Sequence, residues 1–155
     1  MKKIKLIAFC FALGLGLNSC GNGNKKNSED VVKTETKTEF PYKFIETKKE
    51  DRQDNSYNEM LLYTCGEKPD IENLKLFCAE KKTEFTDGTF HFVVFFDNKE
   101  NAKFPNNPVT ALFMEDEDLK HIKAVYTLNN ENGYSKLDFY EKNNFESSAK
   151  SIDIN

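Results

Sequence analysis

Residues 89–97 carry Phe90, Phe92, Val93, Val94, Phe95 and Phe96 in almost unbroken succession. This run limits the folds open to the chain more than any other feature. Successive side chains of a strand point to opposite faces, so a continuous apolar run needs cover on both sides. Asp87-Gly88 supplies a turn signal just before it. The expectation is a central strand around which the rest of the domain is layered.

The other segments supply the layers. Phe40, Tyr42 and Phe44 alternate with Pro41, Lys43 and Ile45, which predicts a strand over residues 40–45 that proline pushes toward an edge. A polar gap at residues 48–56 separates it from a second strand over residues 57–64, centred on Met60-Leu61-Leu62. Pro69, Asp70 and Glu72 then offer helix-start chemistry, and Ile71, Leu74, Phe77 and Cys78 form an apolar stripe that ends at Lys81 and Lys82. A helix is predicted over residues 69–83, with Pro69 in its first turn. Residues 97–108 read as loop, and 109–114 as a short strand or packed segment. Ile122, Ala124, Tyr126 and Leu128 alternate in a further strand. Asn132-Gly133 turns it into a partner strand carrying Leu137 and Phe139. The polar residues 143–155 are expected to fray.

These elements predict an α+β two-layer sandwich: one helix packed on a mostly antiparallel sheet of five or six strands. The domain is expected to span residues 40–142. One helix cannot cover both faces of such a sheet. Either the segment from Phe104 to Met114 folds over the second face, or that face presents Tyr42, Tyr57, Tyr63 and Tyr140 as a binding surface.

Before the domain lie three lysines (Lys2, Lys3, Lys5), an apolar stretch over residues 6–17, and Leu17-Asn18-Ser19-Cys20-Gly21. A dozen residues at about 1.5 Å rise fall short of the ~30 Å hydrocarbon core, so the length suits a cleavable signal rather than a span. The tetrapeptide Leu17-Asn18-Ser19-Cys20 resembles the cleavage box of bacterial lipoproteins. The resemblance implies removal of residues 1–19 as a signal peptide and acylation of Cys20, with membrane partnership through the lipid. Gly21 in place of aspartate implies transfer to the outer membrane. Residues 20–39, mostly Asn, Lys, Ser, Glu and Thr, are expected to form a flexible tether with a reach of ~20–25 Å.

Loss of residues 1–19 leaves 136 residues and moves the net charge from −4 to −7. A negative chain without basic clusters excludes nucleic acid as a natural partner, because phosphate neutralisation needs Lys and Arg. It also leaves no polybasic second contact with anionic lipid. Arg52 is the only arginine, so no multi-arginine anion clamp is available.

Candidate chemistry is sparse. Once Cys20 is acylated, Cys65 and Cys78 are the remaining cysteines of the exported chain; they form either a disulfide, contributing about 3 kcal/mol, or two unpaired buried thiols. His91 and His121 are the only histidines, and a metal site using them would draw a carboxylate from Asp97 or the run Glu115-Asp116-Glu117-Asp118. Neither pattern matches a metal motif, and the acidic run reads as a solvated turn, so no metal and no cofactor is expected. No nucleophile elbow, P-loop or Cys–His motif is present. The expected class is a lipid-anchored, non-enzymatic envelope protein with a protein partner, an inhibitor or immunity type being one concrete version. The alternative is a small periplasmic hydrolase or ligand carrier.

Overall fold

The computed structural model describes residues 39–106, 113 and 115–155. The expected signal, Cys20 and nearly all of the tether lie outside the described residues, as does most of the segment 109–114. The described part is mostly sheet: six strands with few helices. The strands are β1 (Lys43–Asp51), β2 (Tyr57–Thr64), β3 (Phe90–Phe96), β4 (Ile122–Asn129), β5 (Tyr134–Phe139) and β6 (Lys150–Asp153). Helix α1 (Ile71–Glu84) lies between β2 and β3, and a single turn, α2 (Asp116–Leu119), precedes β4.

The strands sit side by side in sequence order. Every neighbouring pair is antiparallel except β2 and β3, which run parallel with Leu61 opposite Val93. Parallel neighbours cannot be joined by a hairpin, and α1 supplies the crossover they need. Asp70 caps α1, its carboxylate accepting from the Asn73 N–H at 2.8 Å. Pro69 therefore precedes the cap instead of entering the first turn.

Each face of the sheet has its own core. On one, Leu74, Phe77 and Cys78 of α1 pack with Leu61, Tyr63, Val93, Phe95 and Tyr126. On the other, Met60, Leu62, Val94, Phe96 and Ile122 meet Phe113, with Ala102, Phe104 and Leu119 against them. The connection from β3 to β4 thus contributes cover to the second face. Tyr42 and Tyr63 are not displayed there; both are buried in the helix-side core.

Two expectations about the ends of the sheet are corrected. The first strand begins at Lys43 and runs to Asp51, through much of the polar stretch expected to be a gap. The last residues do not fray. Lys150–Asp153 pairs with β5, Leu137 facing Ile152, and Ile154 is buried. Backbone pairing with a formed sheet holds both segments in place despite their polar side chains.

Candidate functional site

An aromatic-lined groove lies where the edge strand β1 meets α1. The strand alternation places Phe44 on the helix side, opposite Tyr63 in register. Helical spacing brings Phe77, Glu80, Lys81 and Glu84 to the same side as one another. With Glu39, Phe40 and Tyr42 they line a groove of about 490 Å³.

Its floor is a connected set of rings. Phe77 meets Phe40 and Tyr42 edge-on, with centroids 5.2 Å apart in each case, and Tyr63 at 5.1 Å. Phe44 meets Tyr63 edge-on at 5.5 Å. These are favourable quadrupolar geometries. Phe44 nevertheless stays 54% exposed. Burial raises the Tyr42 and Tyr63 hydroxyls above the ordinary phenolic range, so both remain protonated. The Tyr42 hydroxyl donates to the Asp70 carbonyl at 3.3 Å. Lys81 places its ammonium 5.5 Å from the Phe77 centroid and 2.5 Å from Glu84 Oε2.

Both histidines lie beside a carboxylate, but only His121 is hydrogen-bonded to it. His121 Nδ1 lies 2.8 Å from Asp97 Oδ2. The Asp97 carboxylate can only accept and so calls for a hydrogen on Nδ1, whereas the Asn101 amide nitrogen, 2.6 Å from the same Nδ1, can only donate and competes for that position; Nε2 has no hydrogen-bond partner among the described residues. Asn101 Nδ2 donates to Asp97 Oδ1 at 3.1 Å, and the Asn98 N–H donates to the same oxygen at 2.7 Å. Burial pushes the Asp97 carboxyl up, but the bonds from His121, Asn101 and Asn98 outweigh it and hold the group below its ordinary value.

His91 is 1% exposed and stacks on Phe85 at 4.3 Å. Its Nε2 donates to the Asp87 carbonyl at 2.6 Å, and Nδ1 faces Glu59 Oε2 at 3.3 Å. Glu59 also accepts from Thr47 Oγ1 and approaches Lys49 Nζ at 3.6 Å. Enclosed this way, His91 packs β2, β3 and the turn after α1 together; it offers no surface to a ligand.

The remaining candidates separate. Cys65 and Cys78 are free thiols, not a bridge. Cys65 directs Sγ to the Phe96 carbonyl at 3.4 Å, and Cys78 is fully buried in the helix-side core. Burial pushes the Cys65 thiol up to about 12 and Cys78 higher still, the reverse of an activated nucleophile. The acidic run forms α2 instead of an open turn, and its Asp118 is buried against Lys103 Nζ at 2.6 Å. Among the described residues no three His, Cys, Asp or Glu side chains gather as a metal site needs, and no helix is long and apolar enough to cross a membrane.

The pairing of His121 with Asp97 links residues already singled out as candidates in the sequence. The groove was not foreseen. Its signal was the aromatic alternation from Phe40 to Phe44, but the facing α1 residues come from a separate element. With this geometry in hand, comparison with known proteins adds nothing: no family model, no curated protein and no solved structure matches the chain.

Proposed function

We propose that this chain is a lipid-anchored protein of the bacterial cell envelope, held at the outer membrane through acylated Cys20, whose α+β two-layer domain binds another protein without catalysing a reaction. The anchor rests on the resemblance of Leu17-Asn18-Ser19-Cys20 to a lipoprotein cleavage box. One observation carries the binding role: Phe44 leaves 54% of its surface in water beside an aromatic groove, at a strand edge that is unpaired among the described residues. Exposed rings favour burial against a partner. The unpaired N–H and C=O groups of an edge strand favour an extended chain laid beside them. An inhibitor or immunity-type role, meeting an incoming toxin or hydrolase, is the specific form of this reading.

Two measurements test it in cells. The Cys20→Ser form should move from the membrane pellet to the soluble fraction, and unchanged pelleting removes the anchor. A photo-crosslinking amino acid in place of Phe44 should trap a discrete protein adduct that the same group in place of exposed Phe145 does not. Equal adducts from both positions would overturn the assignment of the binding face.

A small hydrolase is the second reading, favoured by Asp97 and His121. A carboxylate-oriented imidazole with an unpartnered Nε2 has the arrangement of a general base. A phenotype lost in His121→Gln but kept in Phe44→Ala would shift the choice to the enzyme.

A further inference from the structure

We infer that the groove between β1 and α1 recognises a cation: its partner is an extended segment of another protein that adds to β1 and lays a lysine or arginine side chain over the aromatic floor. The inference rests on the reading of this face as the binding surface and names the chemistry it selects.

The lining itself indicates the ligand's charge. Five rings (Phe40, Tyr42, Phe44, Tyr63 and Phe77) converge on one groove, and aromatic faces carry the negative lobe of the ring quadrupole. The same groove is rimmed by three carboxylates, Glu39, Glu80 and Glu84, against a single ammonium, Lys81. An entering anion would be repelled by that surplus and would gain nothing from the ring faces. A neutral side chain would gain contact area only. A cation gains from both.

The protein already shows the groove holding a positive charge. Lys81 could extend into water from its place on α1, yet it is only 17% exposed and its ammonium lies against Phe77, within reach of Glu84. Burial would lower its pKa, but contacts with Glu84 and the Tyr63 hydroxyl outweigh this and hold it above the ordinary lysine value. Phe44 and the rim acids Glu39 and Glu80 have no cation of their own: among the described residues, Lys81 is the one basic side chain lining the groove.

The strand edge indicates the ligand's shape. Among the described residues β1 pairs on one side only, with β2, and nothing pairs with its other edge. A segment added there would present alternate side chains to the helix side at about 6.6–7 Å intervals, the period of strand geometry. Lys43, Lys48 and Lys49 on β1 are offset by Glu46, Glu50 and Asp51. The edge itself is therefore close to neutral, and charge selection falls to the groove.

The test uses the lipidated full-length protein in detergent, with three capped octapeptides that alternate valine with lysine, glutamine or glutamate. Affinity is read by calorimetry, and location by backbone amide shifts. The lysine peptide should bind at β1 and α1 at least about tenfold more tightly than the glutamate peptide, as opposed charges at a partly desolvated aromatic site imply. Phe44→Ala, a change at an exposed ring, should keep the melting temperature and weaken the lysine peptide about fivefold. Glu80→Gln with Glu84→Gln should narrow the gap between lysine and glutamate peptides and flatten its salt dependence. Equal binding of all three peptides at β1 would overturn the cation while leaving the binding face standing. Binding elsewhere, or no binding, would overturn both. If the chain's own Lys33 and Lys37 fill the groove, their replacement by glutamine will shift the Phe44 amide without added peptide, which would overturn a partner in trans.

Discussion

Asp97 and His121 join the end of β3 to the start of β4 twice, once through the side chains at 2.8 Å and once through the Asp97 N–H to the His121 carbonyl at 3.0 Å. The carboxyl is held below its ordinary 3.8. A depressed folded value means stability that is fully present above the unfolded value and lost as pH falls through the folded one. Asp97→Asn should therefore cost about 1–3 kcal/mol near pH 7. The difference from the parent should shrink as the pH drops below about 4. Urea midpoints at pH 7, 5 and 3 check this; a constant difference across that range would show that ionisation of Asp97 contributes nothing.

The last strand should matter for stability. Ile154 is 4% exposed, its N–H donates to the Ser135 carbonyl, and its own carbonyl accepts from Ser135 Oγ and Lys82 Nζ at 2.8 Å each. Ile154→Ala should lower the unfolding free energy by about 2–4 kcal/mol, the usual cost of emptying a packed site of this size. Denaturant unfolding measures it, and an unchanged midpoint would mean the tail frays after all.

Gly88 has φ +78°, and a Cβ built there would lie 2.8 Å from a Tyr57 ring carbon and 3.1 Å from the Tyr57 carbonyl oxygen. Gly133, at φ +74°, has nothing within 4 Å of the same position. Gly133→Ala should cost about 1 kcal/mol for the backbone alone, and Gly88→Ala clearly more, because the carbonyl cannot move aside as a side-chain end can. Melting temperatures of the two variants should fall in that order; equal shifts would remove the role given to Tyr57.

The two thiols should resist modification in the folded protein. Cys78 is inaccessible, and burial keeps Cys65 at about 12, so little thiolate exists near neutral pH. Mass spectrometry after iodoacetamide should find both unmodified in the native state, and both alkylated after unfolding without reductant. Thiols that react only once reductant is added would establish a disulfide.

Much of the domain could be read locally. Phe90 to Phe96 identified β3 because only a doubly covered strand buries that many successive side chains. Pro69, Asp70 and Glu72 marked the start of α1 to within two residues, although the cap falls on Asp70 and leaves Pro69 outside the helix, and Asn132-Gly133 marked the turn from β4 to β5. At the two edges less was legible: the first strand was expected over residues 40–45 and runs from Lys43 to Asp51, and β6 escaped altogether. β1 is exposed at most of its positions and β6 is polar, so neither carries the alternation that burial imprints. The parallel pairing of β2 and β3 also escaped, although a helix between them is the connection such a pair needs.

By itself the sequence determined what depends on near neighbours: the start of α1 to within two residues, the turn after β4, and the strand at the centre. Tertiary structure alone decided that Asp97 would hold His121, that Cys65 and Cys78 would remain apart, and that Phe44 and Phe77 would share one groove. Those relationships join residues distant in the chain. They depend on which strand edges pair and which faces meet, and a local pattern of burial contains neither.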